Sequence, residues 1–318
     1  MSEIINIDQI KQALPRIDLL QIIEEGFARY SKGEVVVPPV GELIFDDPPG
    51  ETHIKYGYIK NDDYYVIKIA SGFYDNPDMG LPSSQGLMLV FCQKTGSLKA
   101  VLLDNGHLTD VRTAAAGAVA AKYLAPEKVT AIGIIGAGIQ GRLQLVHLQP
   151  LISCRKVLVW TRSAKRIEDY QAYFKDTDLD IEFVSERRDI AGGCNLIVTT
   201  TPSREPLLLE ADIRPGTHIT AVGSDTPEKM ELDPAILKKA DMVVSHSLPQ
   251  SETRGEVYQA VEAGMLQRKD VIELGHIVAR GEKARRDDTQ ISVADLTGVA
   301  VQDIQIAKAV YEQLEREE

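Results

Sequence analysis

The chain has 318 residues, 44% of them hydrophobic, three cysteines and a formal net charge of -12. That length and composition bury a substantial core and suggest about two domains. The acidic balance repels phosphate backbones and anionic membranes, which argues against nucleic-acid and membrane partners. Cys92, Cys154 and Cys194 lie far apart, without metal-ligand or disulfide spacing, so core thiols in a reducing, cytoplasmic setting are expected. No basic-then-apolar leader opens the chain, and no apolar run reaches about 18 residues.

Between Asp8 and Tyr30, apolar Ile10, Leu14, Ile17, Leu20, Ile22, Ile23 and Phe27, with Pro15 intervening, predict two short amphipathic helices. From Glu34 to Leu103 the segments VVVPPVGELIF, THIKYGYI, YYVIKIASGF, GLMLVFC and LKAVLL alternate with turn-forming DDPPGE, KNDD and KTGS; the pattern predicts one antiparallel sheet. An alanine-rich helix is predicted over Thr109–Leu124, capped by Thr109 or Asp110 and ended near Pro126. Beyond it, VTAIGII, KVLVW, IEFV, NLIVTTT, HITAVG and MVVSH are strands, with helices from about Ile139 and over Ala164–Phe174. Such alternation defines an α/β fold with a parallel, doubly wound sheet. A helix from Ala300 to Glu318 closes the chain.

Gly136-Ala137-Gly138-Ile139-Gln140-Gly141 fits G-x-G-x-x-G directly after an apolar strand and before a helix, the context that a dinucleotide-binding turn requires. Gly136 permits the tight turn, Gly138 lets a pyrophosphate approach the backbone, and Gly141 allows close helix-to-strand packing. A merely structural turn is the alternative. The acidic residue that holds a bare ribose is missing from the end of the next strand, which reads Trp160-Thr161-Arg162-Ser163 and is followed by Lys165 and Arg166. These groups favour a 2′-phosphate, so the expected cofactor is NAD(P)H, leaning to NADP(H); a solvated basic helix start is the other reading.

Arg112 falls in the first turns of the alanine-rich helix, where a guanidinium can grip a carboxylate through two parallel hydrogen bonds, although a helical arginine can equally be a surface residue. Lys68 shares one strand face with Tyr64 and Val66 and is either edge protection or an anion contact. Asp225 follows a predicted parallel strand in Val222-Gly223-Ser224, where α/β folds place ligand chemistry; it is either an acid–base group or a turn cap. The histidines show no metal-ligand spacing, no Ser-His-Asp order appears, and no metal is expected.

Taken together, SGFYDNPDMGLPSSQGLMLVF, LTDVRTAAAGAVAAKYLA, IGIIGAGIQGRLQL, VGSDTPEKMELD and TGVAVQDIQIAKAVYE resemble, in order, the ornithine cyclodeaminase and mu-crystallin family. The resemblance implies a Rossmann domain over 123–299 and a discontinuous α+β substrate-binding and dimerisation domain over 1–122 plus 300–318, assembled as a homodimer. It implies reduction of a small α-imino acid to an amino acid, or the reverse. The rival activities are a cyclodeaminase with internal return of hydride and a non-catalytic NADPH-dependent binding protein. By the same resemblance Lys68 and Arg112 bind the substrate carboxylate and Asp225 is the acid or base. Ile139, Gln140, Thr161, Arg162, Ser163, Thr201 and Val222 line the cofactor, joined by Ser83, Arg112, Thr113, Thr200, Gly223 and Thr297.

The chain departs from the family pattern in three places. Pro38-Pro39-Val40 lacks the arginine many relatives carry after the proline pair. His53-Ile54-Lys55 replaces an apolar segment, and Ala294-Asp295-Leu296-Thr297-Gly298 replaces a lysine-serine-threonine-glycine version. Strand alternation puts His53 and Lys55 on one face, suggesting a second anion contact and a dicarboxylate such as iminosuccinate.

Overall fold

Asn6 ends the first strand, β1 (Glu3–Asn6), and starts the first helix, α1 (Ile7–Ala13): its side chain accepts from the Asp8 and Gln9 amides, and Gln9 accepts from the Asn6 amide. This reciprocal cap satisfies donors that a helix start otherwise leaves open. The computed structural model describes residues 2–73 and 75–316. Helix α2 (Leu19–Ser31) is followed by β2 (Val35–Val36), β3 (Gly41–Phe45), β4 (Gly50–Ile59), β5 (Tyr64–Phe73), β6 (Ser84–Cys92) and β7 (Leu98–Leu103). Asn61 and Gly96, both at positive φ, lie in the turns joining β4 to β5 and β6 to β7.

Strands β4 to β7 form an antiparallel meander, while β2 and β3 both pair with β4. The sheet is mixed, because β1 adds to β7 in parallel; its four residues carry too short an apolar pattern to announce a strand. The terminal helix (Ala300–Glu315) packs on β4, β5 and β6 and against α2, and Glu317 and Glu318 lie outside the described residues. Its buried Ile304, Ala307 and Val310 meet a face that includes Val66, Met88 and Val90. Burying each of the isoleucine, valine and methionine side chains contributes about 1.5–3 kcal/mol. These elements make one compact unit, Met1–Arg112 with Val299–Glu318; Thr113–Gly298 make the other. The division falls inside helix α3 (His107–Leu124), not at that helix's end.

The start of α3 corrects a sequence expectation. Neither Thr109 nor Asp110 caps it: the helix begins at His107, and Asp104 Oδ2 accepts the Leu108 amide at 2.8 Å. Asn105 and Gly106, at φ 52° and 82°, turn the backbone into the helix, so the Asp-Asn-Gly turn supplies the cap.

In the second unit the chain runs β8 (Ile132–Ile135), α4 (Ile139–Leu148), β9 (Lys156–Trp160), α5 (Ala164–Phe174), β10 (Asp180–Phe183), α6 (Arg187–Gly193) and β11 (Leu196–Thr199). It continues through β12 (His218–Ala221), α7 (Pro234–Lys239), β13 (Met242–Ser245), α8 (Gly255–Glu262), β14 (Val271–Glu273), α9 (Leu274–Val278) and β15 (Ser292–Asp295). The eight strands lie in the order β10-β9-β8-β11-β12-β15-β13-β14, all in parallel. Two apolar clusters cover the sheet. One gathers Ile132, Ile134, Leu145, Val157 and Tyr170; the other gathers Ile135, Ile197, Ile219, Ile236 and Val293. This is the doubly wound fold, and its direction of winding reverses between β8 and β11, where such sheets open a crevice at their carboxyl ends. Of the three free cysteines only Cys194 is buried; Cys92 and Cys154 are half-buried, which corrects the expectation of three core thiols.

Candidate active site

The glycine turn leaves β8 through Gly136 at φ 108°, and Gly138 caps α4. A Cβ on Gly141 would stand 1.9 Å from the Gly136 carbonyl oxygen, and one on Gly136 would stand 2.7 Å from Thr200 Oγ1. Only glycine fits at these positions, and the bare backbone at the start of the ten-residue α4 is what a pyrophosphate needs. Thr200 Oγ1 donates to the carbonyls of Ile135 and Gly136, at 3.3 and 3.0 Å, which fixes the turn from the neighbouring strand. Ile139 and Gln140 open α4, Ile139 being exposed.

Thr161 and Arg162 leave β9, and Ser163 caps α5 by accepting the Arg166 amide at 3.4 Å. The Arg166 guanidinium reaches within 3.7 Å of the point where a Gly138 side chain would begin, so a cation adjoins the phosphate-binding turn. The sequence groups Arg166 with the residues favouring a 2′-phosphate; the structure sets it beside the glycine turn. A nicotinamide dinucleotide therefore fits this unit: the cradle is one that any Cβ would fill, and the charge beside it has the right sign.

On the other side of the winding reversal, Thr201, Val222 and Gly223 end β11 and β12. The Val222 amide donates to Thr199 at 3.0 Å, and the Gly223 amide donates to Glu231 Oε2 at 2.8 Å. Asp225 lies in the turn that follows, half exposed and bonded to Lys229 Nζ at 2.6 Å. Thr297 Oγ1 accepts from Gln250 Nε2 at 2.7 Å, and the Thr113 carbonyl accepts from Gln144 Nε2 at 3.1 Å. Glu231, Glu256 and Asp295 are buried near these strand ends. Burial pushes Glu231 and Asp295 each up to about 7, and burial with repulsion from Glu231 and Asp295 holds Glu256 well above the carboxylate range.

The first unit gathers cations. Lys68 is internal to the sheet, between β4 and β6, and is 2% exposed, so it is not an edge-protecting lysine. Arg112 is 4% exposed and not a surface arginine. Both meet Asp303 of the terminal helix: Lys68 Nζ at 3.1 Å and Arg112 Nε at 2.9 Å. Arg112 Nη1 also donates to Gln302 Oε1 at 3.3 Å. Lys55 is buried and stands directly across from Lys68 in the β4–β5 register. Burial draws the Lys68 ammonium down to about 8, with Asp303 resisting and Arg112 reinforcing the shift. Burial would raise Asp303, but Arg112, Lys68 and Lys55 together hold it below its ordinary value. Burial raises Asp104, which adds a second carboxyl to the neighbourhood of Lys68. His53 lies on β4 with Lys55, its Nε2 4.0 Å from Glu42 and 3.9 Å from Glu51. Ser83 precedes β6, its carbonyl accepting the Phe73 amide at 2.9 Å.

Asp303 and Glu231 were absent from the residues singled out in the sequence. For Asp303 the one local signal is a charge within an otherwise apolar helical stripe, between Val301 and Ile304. Among the described residues no group of three or more His, Cys, Asp and Glu could hold a metal ion, and no helix is long and apolar enough to cross a membrane.

The second unit is a Rossmann-type dinucleotide-binding fold joined, in one chain, to a discontinuous α+β unit. The profile described as the ornithine cyclodeaminase/mu-crystallin family matches residues 3–318, and the chain belongs to that family. An uncharacterized cyclodeaminase of Sinorhizobium fredii is 39% identical over 311 residues, 96% of this chain and 94% of the relative. An archaeal alanine dehydrogenase dimer with bound NAD superposes at a TM-score of 0.90 with 32% identity, covering 99% of this chain and 97% of that one. The iminosuccinate reductase of Paracoccus denitrificans in complex with NAD+ superposes at 0.86 with 30% identity, again covering 99% and 97%.

Proposed function

We propose that the protein is an NAD(P)H-dependent oxidoreductase that reduces a small α-imino acid to the amino acid, or runs the reverse reaction. The observation that carries this reading is that two buried cations of the first unit, Lys68 and Arg112, share one carboxylate, Asp303. Asp104 and Lys55 lie in the same neighbourhood, and Lys68 and Arg112 each carry more donors than Asp303 occupies, which a substrate carboxylate can take. A buried charge is costly unless paired, so the cluster is a reason for an acid to bind.

The bound nicotinamide would supply or accept the hydride; Gly136, Gly138, Gly141 and Arg166 would hold its phosphates, and Thr201, Val222 and Gly223 would line its nicotinamide half. Lys68 and Arg112 grip the substrate carboxylate and so orient the α-carbon, which removes much of the entropic barrier. Asp303 keeps both cations in place, and each retains further donors for the substrate: an ammonium carries three and a guanidinium five. Asp225 handles the proton on nitrogen, with Lys229 beside it as counter-charge.

A four-carbon dicarboxylate is the finer reading of the substrate. Lys55 supports it, being a second buried ammonium across from Lys68. His53 is withdrawn from that role, because Glu42 and Glu51 flank it and would repel another carboxylate. The basic Arg162 after β9 supports NADP(H), whereas the two solved structures named above hold NAD. A homodimer built on the β-rich unit belongs to the same reading, supported by exposed Leu43, Ile44 and Phe45 of β3.

The test is absorbance at the reduced-nicotinamide band, with NADH and NADPH offered separately. Substrates are pyruvate, glyoxylate or oxaloacetate with ammonia, and preformed cyclic imines. Oxidation is expected with at least one pair, and Lys55→Ala should impair the oxaloacetate reaction selectively. Ammonia release from ornithine without net change in the coenzyme would instead establish the cyclodeaminase activity. Coenzyme binding with no turnover of any imine would leave a binding protein.

A further inference from the structure

Glu231 is fully buried, yet four donors converge on its carboxylate. Oε1 accepts from the Thr201 amide at 2.6 Å and Thr201 Oγ1 at 2.8 Å; Oε2 accepts from Thr199 Oγ1 at 2.7 Å and the Gly223 amide at 2.8 Å. The donors come from the carboxyl ends of two adjacent strands, β11 and β12. The Val222 amide also donates to the Thr199 carbonyl at 3.0 Å, and past that last ladder bond the strand ends lie in close contact: a Cβ on Gly223 would stand 2.1 Å from the Thr201 carbonyl oxygen and 2.7 Å from Glu231 Cδ. No side chain fits there, and beyond the last ladder bond the Glu231 carboxylate is the group that bridges Thr201 and Gly223.

Glu231 is itself fixed through its backbone, its amide donating to Glu256 Oε1 at 2.8 Å and its carbonyl accepting from the Leu207 amide at 2.6 Å. Only an ionised carboxylate offers acceptors alone to four donors. Keeping one here is costly, since burial draws its protonation up to about 7 despite those bonds. A residue that merely filled space could be apolar at less cost.

Resting on the reading above that this unit binds a nicotinamide dinucleotide, we propose that Glu231 is a positioning residue. Its carboxylate clamps the ends of β11 and β12 at the separation that seats the nicotinamide half, without touching the coenzyme. The first mononucleotide half is served by β8 and β9, so strands beyond the winding reversal serve the second. Thr201 and Gly223, the clamped groups, are the ones assigned to that half.

The test uses the full chain with two variants. Glu231→Gln keeps shape but turns an amide nitrogen toward at least one backbone donor. Thr199→Val is near-isosteric and removes one bond from a residue that has no assigned contact with the coenzyme. NADH and NADPH dissociation constants are measured by fluorescence titration, and hydrogen–deuterium exchange is followed by mass spectrometry in coenzyme-free protein. Glu231→Gln is expected to weaken binding about tenfold to a hundredfold and Thr199→Val about threefold to tenfold. Exchange should quicken in peptides covering 199–203 and 222–226. The glycine turn, where the Gly136 amide donates to Trp160 at 2.9 Å, should exchange as in the wild type.

Variants that fold, bind as the wild type does and show unchanged exchange would overturn the clamp. So would loss of protection spread evenly over the unit. If Glu231→Gln does not fold, Thr199→Val decides by the same two readouts. Wild-type protein that takes up neither dinucleotide counts against the proposed function itself, whereas wild-type binding with unaffected variants counts against the clamp alone.

Discussion

Asp303→Asn removes one charge, preserves side-chain volume and leaves Lys68 and Arg112, at 3.1 and 2.9 Å from it, without their shared counter-ion. Breaking a buried ion pair by deleting one partner costs about 3–5 kcal/mol, and at an effective dielectric near 20 each lost attraction is about 4 kcal/mol before relaxation. For a unit of this size a loss of that order lowers the melting temperature by about 10 °C or more. The pH dependence has a definite sign. Asp303 holds Lys68 up against burial, so its removal moves the ammonium below about 8. A lysine depressed in the folded state binds fewer protons than in the unfolded chain, and stability then rises with pH between the two values. The deficit should therefore be largest at neutral pH and shrink on the alkaline side. Thermal denaturation of coenzyme-free protein across that range measures it, and added oxalate or acetate should restore part of the loss by entering the vacated charge. Asp303→Asn melting with the wild type, at every pH and without response to carboxylates, would refute the charge argument.

Three further outcomes follow from the same geometry. In the wild type, kcat/KM for the acid should fall as pH rises through about 8, where free Lys68 loses its proton. Lys68→Arg should retain activity further into the alkaline range, because a guanidinium stays charged; an unmoved limb would assign it to another group. Gly141→Ala drives a methyl to 1.9 Å from the Gly136 carbonyl and should weaken dinucleotide binding about a hundredfold, read by titration; near-wild-type binding would remove the cradle from the account. Arg162→Ala should weaken NADPH about tenfold while leaving NADH nearly unchanged, and an equal effect on both would deny it a role at the 2′-phosphate.

The parallel sheet was legible because its strands are short apolar runs separated by helical periods, and the G-x-G-x-x-G turn announces its own backbone geometry. Strands β14 and β15 were not, since VIE and SVAD each end on an acid and offer no apolar run that separates them from a loop. Lys68 and Arg112 were visible only as isolated charges with bland alternatives. The side chain that makes them a cluster, Asp303, is 235 residues from one and 191 from the other, a separation no local pattern reports. Glu231 was hidden differently: it follows Asp225 within the quoted VGSDTPEKMELD, but three of its four donors belong to Thr199 and Thr201, 32 and 30 residues earlier. His53 shows the converse error, where alternation gave the right face and Glu42 and Glu51 supplied neighbours that alternation within one strand cannot show.

The most direct measurement is a crystal of the protein soaked with NADH and an unreactive carboxylate such as oxalate. The account predicts diphosphate density over Gly136–Gly141 and a carboxylate bonded to Lys68 Nζ and the Arg112 guanidinium. Density for the coenzyme elsewhere, or oxalate that leaves Lys68 and Arg112 bound to Asp303 alone, would contradict it.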